Sequence, residues 1–163
     1  MIQSKLITII KDCIKDQKNI TLNTVCGSKS MRPLITDDTK LFVKAVNQIN
    51  VGDLLLLDFY TELCCHRVIK IKNGIYTKGD NNPTVDYEVK TEQILGKVYG
   101  IKRNGKFYDF RKKTLKIYGC LIAYMSKLSA NYDKEKTIYK KICYIIMKFF
   151  INGVIARGEY ESI

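Results

Sequence analysis

The chain has 163 residues, of which 46% are hydrophobic and 27% charged, and it carries a net charge of +12. This length suits one compact domain with an appendage, and the composition is that of a globular rather than a disordered chain. Residues 1–100 contain 14 basic and 11 acidic side chains, whereas residues 101–163 contain 14 and 5. We therefore expect the C-terminal third either to meet an anionic surface, membrane or nucleic acid, or to form a solvated basic helix face.

Residues 2–16 show apolar side chains at helical spacing. These are Ile2, Leu6, Ile9, Ile10, Cys13 and Ile14. The spacing predicts an amphipathic helix within residues 1–18, packed on the domain. Membrane attachment is the less favoured interpretation, because this helix is short and mixed in charge. The N-terminus lacks a basic start followed by an apolar run, so we expect neither a signal peptide nor an N-terminal membrane span.

From residue 19 to residue 110, short β-type runs alternate with turn signals. The runs cover residues 20–26, 40–46, 54–59, 63–72, 75–77, 94–102 and 107–108. Asn73-Gly74 and Asn104-Gly105 are strong hairpin signals. Several short strands without intervening helices predict a mainly β domain, built as an antiparallel sandwich or small barrel.

Residues 111–163 form a basic, apolar segment in which 113–129 and 134–152 are predicted helices. Their uninterrupted apolar runs fall well short of the roughly 18–20 residues that a spanning helix needs. A buried helical hairpin and an interfacial basic amphipathic segment both fit this pattern, and we favour the second.

The six cysteines indicate reduced thiols rather than a disulfide framework. They are Cys13, Cys26, Cys64, Cys65, Cys120 and Cys143. No Cys-x-x-Cys motif occurs and the chain has one histidine, so a structural zinc site is not expected. This usage is typical of an intracellular protein, and we expect no metal or organic cofactor.

A serine-containing corner is predicted at residues 27–34, where a β-type run ends and Pro33 fixes a turn. It carries Ser28 and Ser30, and by itself it reads as an ordinary polar loop. The only histidine, His66, lies in a predicted strand, where histidines are more often structural than catalytic. It is nevertheless the natural candidate for a general base, since its unperturbed pKa is near neutrality.

The loop at residues 77–86 carries two carboxylates, Asp80 and Asp86. It is either a hairpin loop with solvated acids or a loop that returns a carboxylate to His66. In the second case serine, histidine and acid would form a hydrolytic triad.

Neither neighbouring cysteine fits a cysteine–histidine site. Cys65 and His66 point to opposite faces of a strand, and Cys64 lies about 7 Å away on the face of the histidine.

Five motifs in order resemble the type I signal peptidase family. They are Ser28-x-Ser30-Met31-x-Pro33, Gly52-Asp53 before an apolar strand, His66-Arg67-Val68, Thr77-Lys78-Gly79-Asp80-Asn81-Asn82 with Asp86, and Leu95-Gly96-Lys97-Val98. The resemblance spans about residues 24–101. It is closest to the serine–histidine branch found in endoplasmic-reticulum and archaeal enzymes, and it implies the LexA/signal peptidase-like antiparallel β-barrel with flanking helices.

The resemblance also implies roles for individual residues. Ser30 would be the nucleophile and His66 the general base, in the place where the bacterial branch has a lysine. Asp86 matches the orienting acid and Asp80 a second acid of the same loop. The hydroxyl of Ser28, together with the backbone N–H of Ser30, would form the oxyanion hole.

The implied function is cleavage of a leader or signal peptide from a precursor that binds as an added β-strand. The family normally has an N-terminal membrane anchor, and no such anchor is predicted here. The protein would therefore be cytoplasmic, or peripherally attached to a membrane through its basic C-terminal helices. Self-cleaving repressors of the same fold family use lysine as the base and carry a DNA-binding domain, so no nucleic acid is expected as a partner. The alternative is a non-catalytic module that keeps the fold and binds peptide or nucleic acid.

Overall fold

The computed structural model describes residues 2–24, 29–59, 62–130 and 137–160, which form three α-helices, one short 3₁₀ helix (Thr91–Gln93) and nine strands. The helices are α1 (Ile2–Lys15), α2 (Lys113–Leu128) and α3 (Thr137–Ile155). The strands are β1 (Ile20–Asn23), β2 (Lys40–Lys44), β3 (Leu54–Phe59), β4 (Glu62–Lys70), β5 (Ile75–Lys78), β6 (Glu88–Val89), β7 (Ile94–Arg103), β8 (Lys106–Asp109) and β9 (Glu159–Tyr160). None of the helices in the described parts of the chain is long and apolar enough to cross a membrane.

The described strands form one antiparallel sheet in the order β1-β2-β7-β3-β4-β5-β6, with β8 paired to β7 and β9 to β8. The mainly β, antiparallel prediction is therefore confirmed. The sheet is open rather than a closed barrel, because no hydrogen-bonded ladder joins β1 to β6 in the described residues. Register shifts in three of the strand pairs bend the ladder without closing it.

Both predicted hairpin turns are present. Asn73-Gly74 joins β4 to β5, and Asn104-Gly105 joins β7 to β8. The two asparagines have φ of 59° and 50°, and the glycines that follow them have φ of 111° and 72°. Positive φ at both central residues is what a type I′ hairpin turn requires, so these dipeptides determine which strands pair locally.

Strand β3 is covered on both faces, which explains its four consecutive buried leucines. Leu54 and Leu56 belong to the larger hydrophobic cluster, whereas Leu55 and Leu57 belong to a smaller one on the other face. The larger cluster draws on all three helices as well as the sheet. Among its members are Ile7 and Ile10 of α1, Leu115 and Ile122 of α2, Met147 and Ile151 of α3, and Val43 and Val98 of the sheet. The N-terminal helix, the β region and the C-terminal helices thus share one core.

Several element boundaries differ from the predictions. Helix α3 extends to Ile155, three residues beyond the predicted end, and its predicted start lies in residues 131–136, outside the described residues. Strands β6 and β9 have two residues each and were not predicted, because so short a run carries no periodicity. The run predicted at residues 20–26 forms a strand only as far as Asn23, and residues 25–28 are not among the described residues.

Helix α2 approaches the turn before β3 so closely that only glycine fits there. Gly52 has φ of +96°, and a Cβ at this position would lie 2.6 Å from the carbonyl carbon of Gly119 and 2.7 Å from the backbone nitrogen of Cys120. Backbone atoms cannot move aside as a flexible side chain can. The contact therefore determines how α2 lies on the sheet.

We expect Gly52→Ala to lower the free energy of unfolding by about 2–4 kcal/mol, because it adds left-handed backbone strain to a clash with α2. Gly105→Ala is the matched control, since Gly105 also has positive φ (+72°) but nothing lies within 4 Å of its added Cβ. The control should cost only about 1 kcal/mol. Urea unfolding of both variants measures the difference, and equal losses would contradict the proposed contact.

Candidate active site

Strand β4 presents His66 and Arg67 to opposite faces, because side chains alternate along a strand. Both residues are buried. The strand face that carries Arg67 is turned toward α2. Nη1 of Arg67 donates to the carbonyl of Gly52 at 3.0 Å and lies near Gly119 of α2. His66 lies on the other face of the strand, together with Val68, which belongs to the smaller hydrophobic cluster.

The structure brings His66 and Asp86 together. Nδ1 of His66 lies 2.6 Å from Oδ2 of Asp86, and the hydroxyl of Thr77 donates to the same oxygen at 2.7 Å. Asp86 reaches this position because its N–H donates to the carbonyl of Thr77 at 2.9 Å, which folds the loop back onto β5. The side chains of His66 and Asp86 are 8% and 16% exposed, so little water competes for the bond.

This hydrogen bond selects the tautomer of the imidazole. When Nδ1 of His66 donates its proton to Asp86, the neutral ring keeps its lone pair on Nε2. A general base needs that lone pair, and the carboxylate also stabilises the imidazolium formed after proton uptake. The pair thus has the chemistry of a base and its orienting acid.

Asp80 lies on the other face, against Arg67. Nε and Nη2 of Arg67 donate to the two carboxylate oxygens of Asp80 at 2.8 and 2.7 Å, and both side chains are buried. The two acids are six positions apart in sequence but have different surroundings, since Asp86 contacts His66 and Asp80 contacts Arg67. A buried bidentate pair of this kind fixes the loop, because either partner alone would be an uncompensated buried charge.

The same loop holds the serine corner in place. The N–H of Asn81 donates to the carbonyl of Ser30 at 2.7 Å, and its side-chain amide donates to the carbonyl of Lys29 at 3.2 Å. A Cβ on Gly79 would lie 2.8 Å from the carbonyl oxygen of Ser30, so this close approach needs glycine. Ser30 itself is half-buried in a turn. The predicted oxyanion residue Ser28 lies outside the described residues.

Helix α3 reaches the serine corner from the C-terminal part of the chain. The hydroxyl of Tyr144 donates to Oδ1 of Asn81 at 2.7 Å, and Nζ of Lys148 donates to the carbonyl of Arg32 at 3.3 Å. Sequence reasoning missed both residues. They are more than 60 positions away from their partners and belong to no motif, so no local signal could have found them.

Lys78 is another polar residue to which sequence reasoning gave no role. Its side chain is fully buried, and Nζ donates to the hydroxyl of Ser126 in α2 at 3.0 Å and to the carbonyl of Gly79 at 3.2 Å. Burial lowers the pKa of Lys78 to about 8, although the negative charges of Asp80 and Asp86 oppose the shift. Lys78 pairs with Arg67 in the ladder, so it shares the α2 face and does not stand beside His66.

The two cysteines before His66 are poor nucleophiles. Burial raises the pKa of Cys65 to about 12 and raises the pKa of Cys64 as well. Thiols held in the protonated form do not attack carbonyl carbons efficiently. This agrees with the strand geometry that disfavours a cysteine–histidine site.

A free strand edge lies next to His66, and an apolar cavity lies beside Met31 of the serine corner. The cavity has a volume of about 130 Å³ and a largely apolar lining that includes Leu22, Met31, Leu41, Leu56, Leu63 and Cys64. Strand β4 pairs with β3 along residues 62–67, but its pairing with β5 begins only at Arg67. Within the described residues, the other edge of 62–66 is therefore left without a neighbouring strand, next to His66.

Residues 2–99 match the family model described as Peptidase S24-like, which is more than half of the chain. No curated protein and no solved structure matches the chain. The matched region contains Ser28, Ser30, His66, Asp80 and Asp86. Helices α2 and α3 lie outside it.

We expect the loss of Asp80 to lower the free energy of unfolding more than the loss of Asp86. Asp80→Asn leaves Arg67 buried without its counter-charge and should lower the free energy of unfolding by about 3–5 kcal/mol. Asp86→Asn removes a charge from a partly accessible site and should cost about 1 kcal/mol. Urea unfolding of both variants, with circular dichroism as the readout, tests this order, and a larger loss for Asp86→Asn would reverse the assignment.

A second expectation concerns pH and Lys78. The folded pKa of about 8 lies below the ordinary value of 10.5, so the unfolded chain binds more protons between these values and stability rises with pH. Relative to Lys78→Met, wild type should therefore gain about 2–3 kcal/mol of unfolding free energy between about pH 7 and about pH 10. Ser126→Ala keeps the lysine and should retain the wild-type rise. A pH-independent difference between wild type and Lys78→Met would contradict the prediction.

Proposed function

Because the chain belongs to the Peptidase S24-like family, we propose that it is a serine endopeptidase with Ser30 as nucleophile, His66 as general base and Asp86 as orienting acid. The observation that carries the proposal is the 2.6 Å hydrogen bond from Nδ1 of His66 to Asp86, which leaves Nε2 as the basic nitrogen. The loop that supplies Asp86 also binds the backbone of Ser30 through Asn81. One short segment thus contacts both the proposed base and the backbone of the proposed nucleophile.

The reaction would proceed through an acyl-enzyme. Nε2 of His66 takes the proton of the Ser30 hydroxyl as its oxygen attacks the peptide carbonyl carbon, and the imidazolium then gives that proton to the leaving amine. Water, activated by the same imidazole, hydrolyses the ester. The backbone N–H of Ser30 and the hydroxyl of Ser28 would stabilise the oxyanion, each such donor contributing about 10²–10³-fold in rate.

An extended peptide fits the surroundings of this site. The free edge of β4 over residues 62–66 offers backbone groups for an added strand that leads to His66. The apolar cavity beside it, which includes Met31 and Leu63, would accept one small or aliphatic side chain of that strand. We therefore propose a precursor peptide or preprotein as substrate, cleaved after a leader or signal segment.

Labelling with a fluorophosphonate probe, whose fluoride an activated serine displaces, tests the proposal. Wild type should label at Ser30, and Ser30→Ala should not label. His66→Ala and Asp86→Asn should slow labelling by at least about hundredfold, since a positioned base contributes about 10²–10⁴-fold. Ser28→Ala should slow labelling but leave Ser30 as the modified residue.

Ser129→Ala is the matched control, because the hydroxyl of Ser129 donates to the carbonyl of Ser126 at the end of α2 and belongs to none of the proposed site residues. It should label like wild type. Folded wild-type protein that does not label, or a Ser30→Ala variant that labels equally, would instead favour a non-catalytic peptide-binding module. Circular dichroism of each variant establishes that it is folded.

A further inference from the structure

Helix α3 exposes an apolar stripe on the face opposite its core contacts. Its buried side includes Cys143, Met147, Ile151 and Val154. We call the exposed set the outer stripe, and it consists of Ile138, Ile142, Ile145 and Phe149. These four residues recur at helical spacing, and Ile145 and Phe149 are 65% and 72% exposed. A row of large apolar side chains exposed to water is typical of a surface that binds another protein or a membrane.

Helix α2 repeats this arrangement. Ile117, Leu121 and Tyr124 are exposed and lie four and three residues apart, opposite the buried Gly119 and Ile122. The inner faces of both helices pack on the core, as in the predicted hairpin, while their outer faces remain apolar and solvent-exposed. The inner faces match a buried helical hairpin, and the interfacial interpretation would concern only the outer faces.

The charge of these helices limits what the outer stripe could bind. Neither α2 nor α3 contains an aspartate or glutamate. Exposed lysines accompany the apolar residues, namely Lys113, Lys116 and Lys127 on α2 and Lys141 on α3. A second copy of this chain would bring like charges together, which disfavours self-association. A partner with an apolar interior and a negatively charged surface would match both the exposed apolar side chains and the lysines of these helices.

We propose that the outer stripe docks on an anionic lipid bilayer, with α3 lying in the plane of the membrane–water interface. The acyl-chain boundary accepts Ile145 and Phe149, and anionic headgroups accept the exposed lysines of the two helices. This docking does not depend on the proposed peptidase activity. It does bear on the site, because Tyr144 and Lys148 precede Ile145 and Phe149 directly in sequence and contact Asn81 and Arg32. A docked protein would hold its serine corner near the bilayer.

Vesicle flotation with the full chain tests the proposal. Wild type should float with phosphatidylcholine vesicles that contain phosphatidylglycerol and remain unbound with phosphatidylcholine alone, and salt should weaken the binding. The double variant Ile145→Ser with Phe149→Ser should bind at least about tenfold more weakly. Ile9→Ser is the matched control, because Ile9 is a 58% exposed isoleucine on α1, and it should bind like wild type.

Replacing Lys113, Lys116 and Lys127 by glutamine separates the electrostatic contribution and should weaken binding to the anionic vesicles. Thermal unfolding and size-exclusion chromatography of each variant report on folding and association. The proposal is overturned if wild type does not bind anionic vesicles, or if the double variant binds them as tightly as wild type does. It is also overturned if the outer stripe instead holds a dimer that the double variant dissociates.

Discussion

The buried ion pair between Arg67 and Asp80 connects the parts of the chain from which the candidate site is built. Arg67 belongs to β4 and also donates to Gly52, the glycine against which α2 rests. Asp80 belongs to the loop after β5, and its N–H donates to the sulfur of Met31 beside Ser30. Two desolvated charges are costly, and the bidentate geometry with its additional hydrogen bond offsets that cost. The serine corner, the returning loop and α2 therefore depend on one interaction.

The alternation of a β-strand separates the structural and chemical tasks of the site. His66 and Arg67 are adjacent in sequence, yet one faces Asp86 and the other faces Asp80. The same alternation directs Thr77 of β5 to Asp86 and Lys78 to α2. Polar residues that are neighbours in sequence thus have different partners, because their side chains lie on opposite faces of the sheet. The proposed base contacts Asp86, while the buried Arg67 and Lys78 lie on the other face of the sheet.

The C-terminal helices connect the site to the surface of the molecule, although they lie beyond the region matched by the family. Ser126 of α2 binds Lys78, and Tyr144 of α3 binds Asn81, so both helices contact the loop that holds Ser30. Their outer faces are apolar and basic. Interfacial docking, as we propose it, would therefore act on elements that already touch the serine corner.

Local sequence patterns determined the kinds of element and the candidate residues. Helical spacing, short β-type runs and the Asn-Gly turns follow from side-chain period and backbone preference, which act over a few residues. The motifs likewise singled out Ser30, His66 and Asp86. Only the tertiary structure decided that the sheet stays open, that Asp80 turns to Arg67, and that Tyr144 reaches the serine corner. Those outcomes depend on which distant segments pack together and on which strand face each side chain falls, and no short stretch of sequence encodes either.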